Sequence, residues 1–332
     1  MRSLLKYSFR FIAILSASLL FLEVFLRLTG VAQPLWTEIN PNKGKLFSLN
    51  ENFAFYNEGF SLTNSDKRGL TSFLSDQEDS KTFTFYGDSY TEAHQVFKRH
   101  HFLNHIRDSL GRFNCINLSM SGFDFTDNYA RYLLFDTALN SSHAFFFLSD
   151  DDFDQDDTDP FIPTLKLVED NLELKVLNEQ ALNSPQVKWL LPMIQNSALL
   201  YLIRNAFRQV EQGNTSDILF DGLFTFNEKE EKKDLSTEIS PVVIKILRNW
   251  DRRNCTIIYR GKRPISKEYK NLLQAYQIPL IDLEAALRRT YKGDVSELYY
   301  HKGTNQSGHW NVKAHVLIGK ILTDKFARRF RP

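Results

Sequence analysis

Cysteine is nearly absent. The 332 residues hold two, Cys115 and Cys255, which excludes a disulfide framework and any zinc-binding cysteine spacing. Both fall in apolar, strand-like runs and read as buried free thiols rather than a bridge. An excess of either charge is also absent: 41 Lys and Arg stand against 40 Asp and Glu, a formal net charge of +1. Nothing in that balance calls for nucleic acid as a partner. There is no internal repeat and no G-x-S-x-G nucleophile elbow, which sets aside an α/β-hydrolase. His100, His101 and His105 lack the spacing with glutamate of a zinc-protease helix and read as surface residues. In the acidic run from Asp150 to Asp159, counting from Asp152 puts Asp157 and Pro163 where an EF-hand needs Gly and Glu. That run reads as a solvated loop. No metal and no cofactor is expected.

A long apolar run is present, at the N-terminus. Arg2, Lys6 and Arg10 precede an uncharged stretch from Phe11 to Leu22, and apolar residues continue to Leu28, interrupted by Glu23 and Arg27. A spanning helix needs about 20 mostly apolar residues, and charges near its ends snorkel. Residues 1–32 are therefore read as an uncleaved membrane anchor. Gly30-Val31-Ala32 supplies a small-x-small site, so a cleaved signal peptide is the alternative. The basic flank puts the N-terminus in the cytoplasm. The rest of the chain is then extracytoplasmic, in a periplasm or outside the cell.

Residues 33–80 are rich in Asn, Ser, Gly and Phe without a sustained period, and read as a lead-in of short strands and turns. From 81 the pattern alternates. "KTFTFYG", "FNCINLS" and "HAFFFLS" read as strands; "VFKRHHFLNHIRDSLG", stopped by Gly111, and "DNYARYLLFDTAL" read as helices. After 240 the alternation resumes with "PVVIKILRNWDRR", "CTIIYR", "SKEYKNLLQAY" and "IPLIDL", and a final helix closes the chain. This order predicts a mostly parallel sheet with helices on both faces. Residues from about 150 to 240 break the rhythm and read as a helical insertion on that sheet. Their amphipathic stripe, 187–210, is read as packing on the domain, with the membrane surface as the alternative. The charged "NEKEEKKD" reads as an exposed face.

In such a sheet the ligand site lies beyond the carboxyl ends of the strands. Ser89 follows the strand "KTFTFYG" there, at the start of a helix whose N–H groups suit a developing anion. Gly122 in "NLSMSG" follows the second strand, and "LSDDDF" follows the third. His309 stands just before the last helix, where it can act as the base that a serine needs to become nucleophilic.

With these residues in view, the chain resembles the SGNH hydrolases, also called GDSL esterases. It looks most like the membrane-anchored members associated with bacterial surface polysaccharides. Gly87, Asp88, Ser89, Tyr90 and Thr91 match the first block, with Ala93 replacing its last glycine; Gly122 matches the second; "HWN" at His309 matches the last, followed by Ala314-His315. The resemblance covers roughly 81–325, with the insertion unaligned, and the domain it implies is 81–330. It implies a flavodoxin-like three-layer α/β/α fold with sheet order 2-1-3-4-5. It also implies Ser89 as nucleophile, His309 as general base, and the N–H groups of Ser89 and Gly122 as oxyanion donors. Two departures stand out. The third block has Asp151 (Asp150 if the register slips by one) where the family has an asparagine donor, and an ionised carboxylate only accepts. The acid three residues before the histidine is replaced by Gln306, and Asp294 and Glu297 are the nearest acids in sequence. The expected function is serine-dependent ester hydrolysis or O-acyl transfer on an acylated glycan or similar ester. The competing reading is a degenerate scaffold that binds glycan or an assembly partner.

Overall fold

The computed structural model describes residues 2–29, 37–55, 61–153, 161–176, 183, 188–189, 193, 196–203, 239–302 and 306–330. The chain divides into two units. One joins Met1–Trp36 with Glu179–Glu228, and the other joins Thr37–Asn178 with Lys229–Pro332.

In the first unit, helix α1 runs from Arg2 to Thr29, and its stretch Lys6–Leu28 is long and apolar enough to cross a membrane. The described residues of the stripe, among them helical residues 198–203, contact this helix: Leu26 and Ala198 are buried together. "NEKEEKKD" lies outside the described residues.

The second unit opens with two antiparallel hairpins, β1 (Thr37–Asn40) with β2 (Gly44–Phe47), and β3 (Asn52–Phe55) with β4 (Ser61–Asn64). The central sheet follows. Its strands are β5 (Thr71–Phe73), β6 (Lys81–Tyr86), β7 (Phe113–Asn117), β8 (His143–Leu148), β11 (Cys255–Tyr259) and β12 (Leu280–Asp282), in the spatial order β12-β11-β8-β6-β7-β5. Every pairing is parallel except that of β5 with β7. The five parallel strands therefore follow the order 2-1-3-4-5 expected from the resemblance. The lead-in adds a sixth strand on the β7 edge.

Both faces of the sheet are covered, and β8 shows why its sequence lacks alternation. Ala144, Phe146 and Leu148 point into one core, with Phe125 and Tyr129 of helix α4 (Phe125–Leu139), Val243 and Ile246 of α5 (Pro241–Arg248) and Leu273 of α6 (Lys267–Ala275). Phe145 and Phe147 point into the other, with Phe102 and Ile106 of α3 (Phe102–Leu110), Leu283 and Leu287 of α7 (Leu283–Thr290) and Ile318 of α8 (Val312–Arg329). Each buried side chain of this size contributes about 1.5–3 kcal/mol, so a strand apolar on both faces anchors both layers. Cys115 and Cys255 lie in opposite cores and are free; burial pushes the Cys255 thiol up to about 12.

Three local expectations are corrected. The helix expected from Val96 begins at Phe102, after a short 3-10 turn over Lys98–His100. His101 is buried rather than at the surface: its Nδ1 accepts from Leu103 N–H at 3.1 Å and caps that helix. The helical insertion begins instead with a hairpin, β9 (Thr164–Val168) and β10 (Asn171–Lys175). The hairpin turns through Glu169 and Asp170, both at positive φ (47° and 66°). That geometry is a type I′ turn, usually marked by Asn-Gly; Glu-Asp hides it.

Candidate active site

The short helix α2, Ser89–Glu92, starts directly after β6. Asp88 caps it, Oδ1 accepting from Tyr90 N–H at 3.0 Å, which satisfies one of the orphan donors of a helix start. Gly87 is required by close approach: a Cβ there would stand 2.6 Å from Thr91 Oγ1 and 3.1 Å from Phe147 Cβ. Ala93 ends the helix in the left-handed region at φ 57°, a conformation in which glycine is the default. This explains why the resembled block carries glycine at that place.

Ser89 Oγ and His309 Nε2 are 2.6 Å apart. The histidine arrives on a tightly tied loop. Gly308 N–H donates to Tyr299 O at 2.9 Å, His301 Nε2 donates to His309 O at 3.0 Å, and Gln95 Nε2 donates to Trp310 O at 3.1 Å. Asn311 then caps α8, accepting from Ala314 N–H at 3.0 Å while its Nδ2 donates to Glu297 O and Tyr300 O. The ring of Tyr90 lies 4.5 Å from that of His309. His315, one turn into α8, is buried; its Nδ1 accepts from Phe102 N–H at 3.2 Å, and burial holds it neutral, far below the usual histidine range. Asn311→Ala is expected to cost about 1–2 kcal/mol, as a lost cap and lost loop hydrogen bonds. Thermal unfolding checks the loss.

The loop carrying Gly122 is stitched to the serine turn. Met120 N–H donates to Gly87 O at 3.0 Å, and Asn117 Nδ2 donates to Thr91 O at 2.8 Å. Ser121 Oγ donates to the buried Glu92, whose other oxygen is 3.2 Å from His94 Nε2. Burial opposes ionisation of Glu92, but His94 and Ser121 hold its carboxyl below the usual range. Gly122 itself is exposed at φ 84°, the conformation that places a backbone turn at the loop tip.

Asp151 is exposed on the turn Asp150–Phe153, and the residue drawn inward is its neighbour Asp152. Asp152 Oδ2 accepts from Ser149 N–H at 2.6 Å and from Arg260 Nη2 at 2.9 Å. The same Nη2 donates to Asp88 Oδ2 at 2.7 Å, and the guanidinium lies 4.7 Å from the Tyr90 ring centre. Burial pushes Asp152 above the usual carboxylate range, against the pull of Arg260. One buried arginine thus ties the first and third blocks together through Asp88, the neighbour of Ser89 in sequence, and Asp152.

Asp294 and Glu297 are engaged elsewhere. Asp294 accepts from Ser296 N–H at 3.0 Å, and Glu297 pairs with Lys313 at 3.0 Å. Gln306 lies in β14 (Gln306–Ser307), paired with β13 (Tyr300–His301). Among the described residues no group of His, Cys, Asp or Glu is arranged to hold a metal ion. Sequence reasoning missed Glu92, Asp152 and Arg260. Arg260 carried a signal: a cation placed at the end of "CTIIY", on the rim where ligands bind.

No protein-family model matches the chain, and no curated protein matches its sequence. Solved structures similar to it are lipases and esterases. The lipase/acylhydrolase from Enterococcus faecalis has 11% identity and a TM-score of 0.37, covering 75% of this chain and 96% of its own. The psychrotrophic esterase EstA from Pseudoalteromonas sp. has 11% identity and a TM-score of 0.38, covering 76% and 100%. The acetylxylan esterase Axe2 from Geobacillus stearothermophilus has 10% identity and a TM-score of 0.34, covering 77% and 97%.

Proposed function

We propose that this chain is a membrane-anchored serine hydrolase or O-acyltransferase acting on an acylated glycan or similar ester outside the cytoplasm. The observation that carries the reading is the 2.6 Å contact of Ser89 Oγ with His309 Nε2 at the carboxyl rim of the sheet. In the proposed reaction Ser89 Oγ attacks the ester carbonyl carbon while His309 Nε2 takes its proton. The N–H groups of Ser89 and Gly122 receive the oxyanion. Collapse breaks the bond to the alcohol oxygen, which takes the proton from His309 and leaves. Water, or a glycan hydroxyl in the transfer reaction, then attacks acyl-Ser89 with His309 again as base. Asp151, in the place of an asparagine donor, favours a second reading, a scaffold that binds its glycan or partner without turnover.

Labelling of the full-length protein with a fluorophosphonate separates the two. Wild type is expected to be labelled and Ser89→Ala to be blank. An unlabelled wild type would leave the scaffold reading in place.

A further inference from the structure

Glu23 stands near the end of the apolar run of α1, five residues before Leu28. At 1.5 Å per residue that is roughly 8 Å inside the end of the apolar stretch. Its carboxylate is not left to lipid. It accepts from Ala198 N–H at 3.0 Å, Leu199 N–H at 2.9 Å and Ser197 Oγ at 2.9 Å, donors at the start of a helical turn. Arg27 Nε donates to the same carboxylate at 2.7 Å, and Arg27 Nη2 donates to Asn196 O. Leu26 and Ala198 close the contact on its apolar side. A charged pair at this depth is costly unless satisfied, and such pairs mark functional contacts. Whatever binds Glu23 sits at the depth of Glu23.

Three exposed side chains of this stretch are large and apolar. Trp189 is 76% exposed, Met193 58% and Ile203 42%. A large aromatic, a thioether and a branched aliphatic facing outward beside a basic Lys188 form the signature of an interfacial segment. Resting on the anchor reading above, we propose that Trp189, Met193 and residues 196–203 lie in the outer interface of the bilayer. They form a second membrane-embedded element, clasped to the anchor by Glu23 and Arg27. The occupant of their outward face is lipid. The clasp also gives α1 a role in the folded protein that a cleaved signal peptide would not have.

The test uses the full chain in phosphatidylcholine liposomes, with an environment-sensitive fluorophore on single introduced cysteines. Labels at Met193→Cys and Ile203→Cys are expected to be quenched roughly twofold by brominated acyl chains, as is a label at Phe11→Cys within the apolar run. A label at exposed Lys267→Cys reports water. Glu23→Ala should lose at least about half of the quenching at 203 and none at 11. If 193 and 203 behave like 267 while 11 is quenched, the second element is refuted and the anchor survives. If 11 is not quenched, the anchor reading itself falls. Unchanged quenching at 203 in Glu23→Ala would refute the clasp.

Discussion

His309→Ala is expected to lower turnover of a simple activated ester such as p-nitrophenyl acetate by on the order of 10⁴- to 10⁶-fold. The reason is positional. An unassisted serine hydroxyl is a weak nucleophile near neutral pH, and the 2.6 Å contact with His309 Nε2 is what would relieve it of its proton during attack. The loss should fall on kcat, with KM little changed, because the imidazole acts on the transition state rather than on substrate binding. It should leave the melting temperature nearly unchanged, since the loop is held by Gly308, Trp310 and Asn311 rather than by the ring of His309. A variant retaining more than a tenth of wild-type kcat would show that Ser89 is served by some other base, and the proposed mechanism would be wrong.

Arg260→Met is expected to be the most destabilising single change near the site, by about 3–5 kcal/mol. The side chain is 7% exposed and bridges Asp88 and Asp152, themselves 15% and 11% exposed. Methionine fills similar space but leaves two buried carboxylates facing each other without a cation. Denaturant unfolding measures the loss. It should also depend on pH with a definite sign. Asp152 is already pushed above the ordinary carboxylate range by burial, and without Arg260 it is pushed further. The folded state then holds a proton that the unfolded state releases. Stability therefore falls as pH rises beyond the ordinary carboxylate pKa of about 3.9, and the defect of Arg260→Met is smallest in acid. Asp152→Asn in the same background should flatten that slope. A pH-independent defect would locate the damage in packing, not charge.

The strands β6, β7, β8 and β11 were legible because each is an apolar run bounded by polar turns, and their alternation with helices dictates a parallel sheet. Ser89 and His309 were legible because motif and rim position agreed. Other features were hidden for identifiable physical reasons. The β9–β10 turn uses Glu169-Asp170, residues without a strong turn signature. His101 looked like part of a polar helix face, yet its ring is folded inward as a cap for α3. Asp152 cannot be told from Asp150 and Asp151 by composition; only burial against Arg260 separates them. The stripe at 187–210 showed its amphipathic character but not its partner, because the N–H groups that meet Glu23 belong to backbone and leave no mark in the sequence.

The antiparallel strand β5 has a consequence for the order in which the sheet is assembled. Thr71–Phe73 leaves the ribosome before its partner: it pairs with Asn117, Ile116 and Cys115 of β7, which are made only after β6 and α3. The hairpins β1–β2 and β3–β4 can pair within the lead-in, but β5 must wait for β7 to be made. A chain begun at Lys81 would fold its parallel strands but leave β7 as an open edge, with free N–H and C=O groups available to another copy. The lead-in therefore replaces a five-residue edge by β5, an edge of three residues, which is a shorter template for a neighbouring molecule.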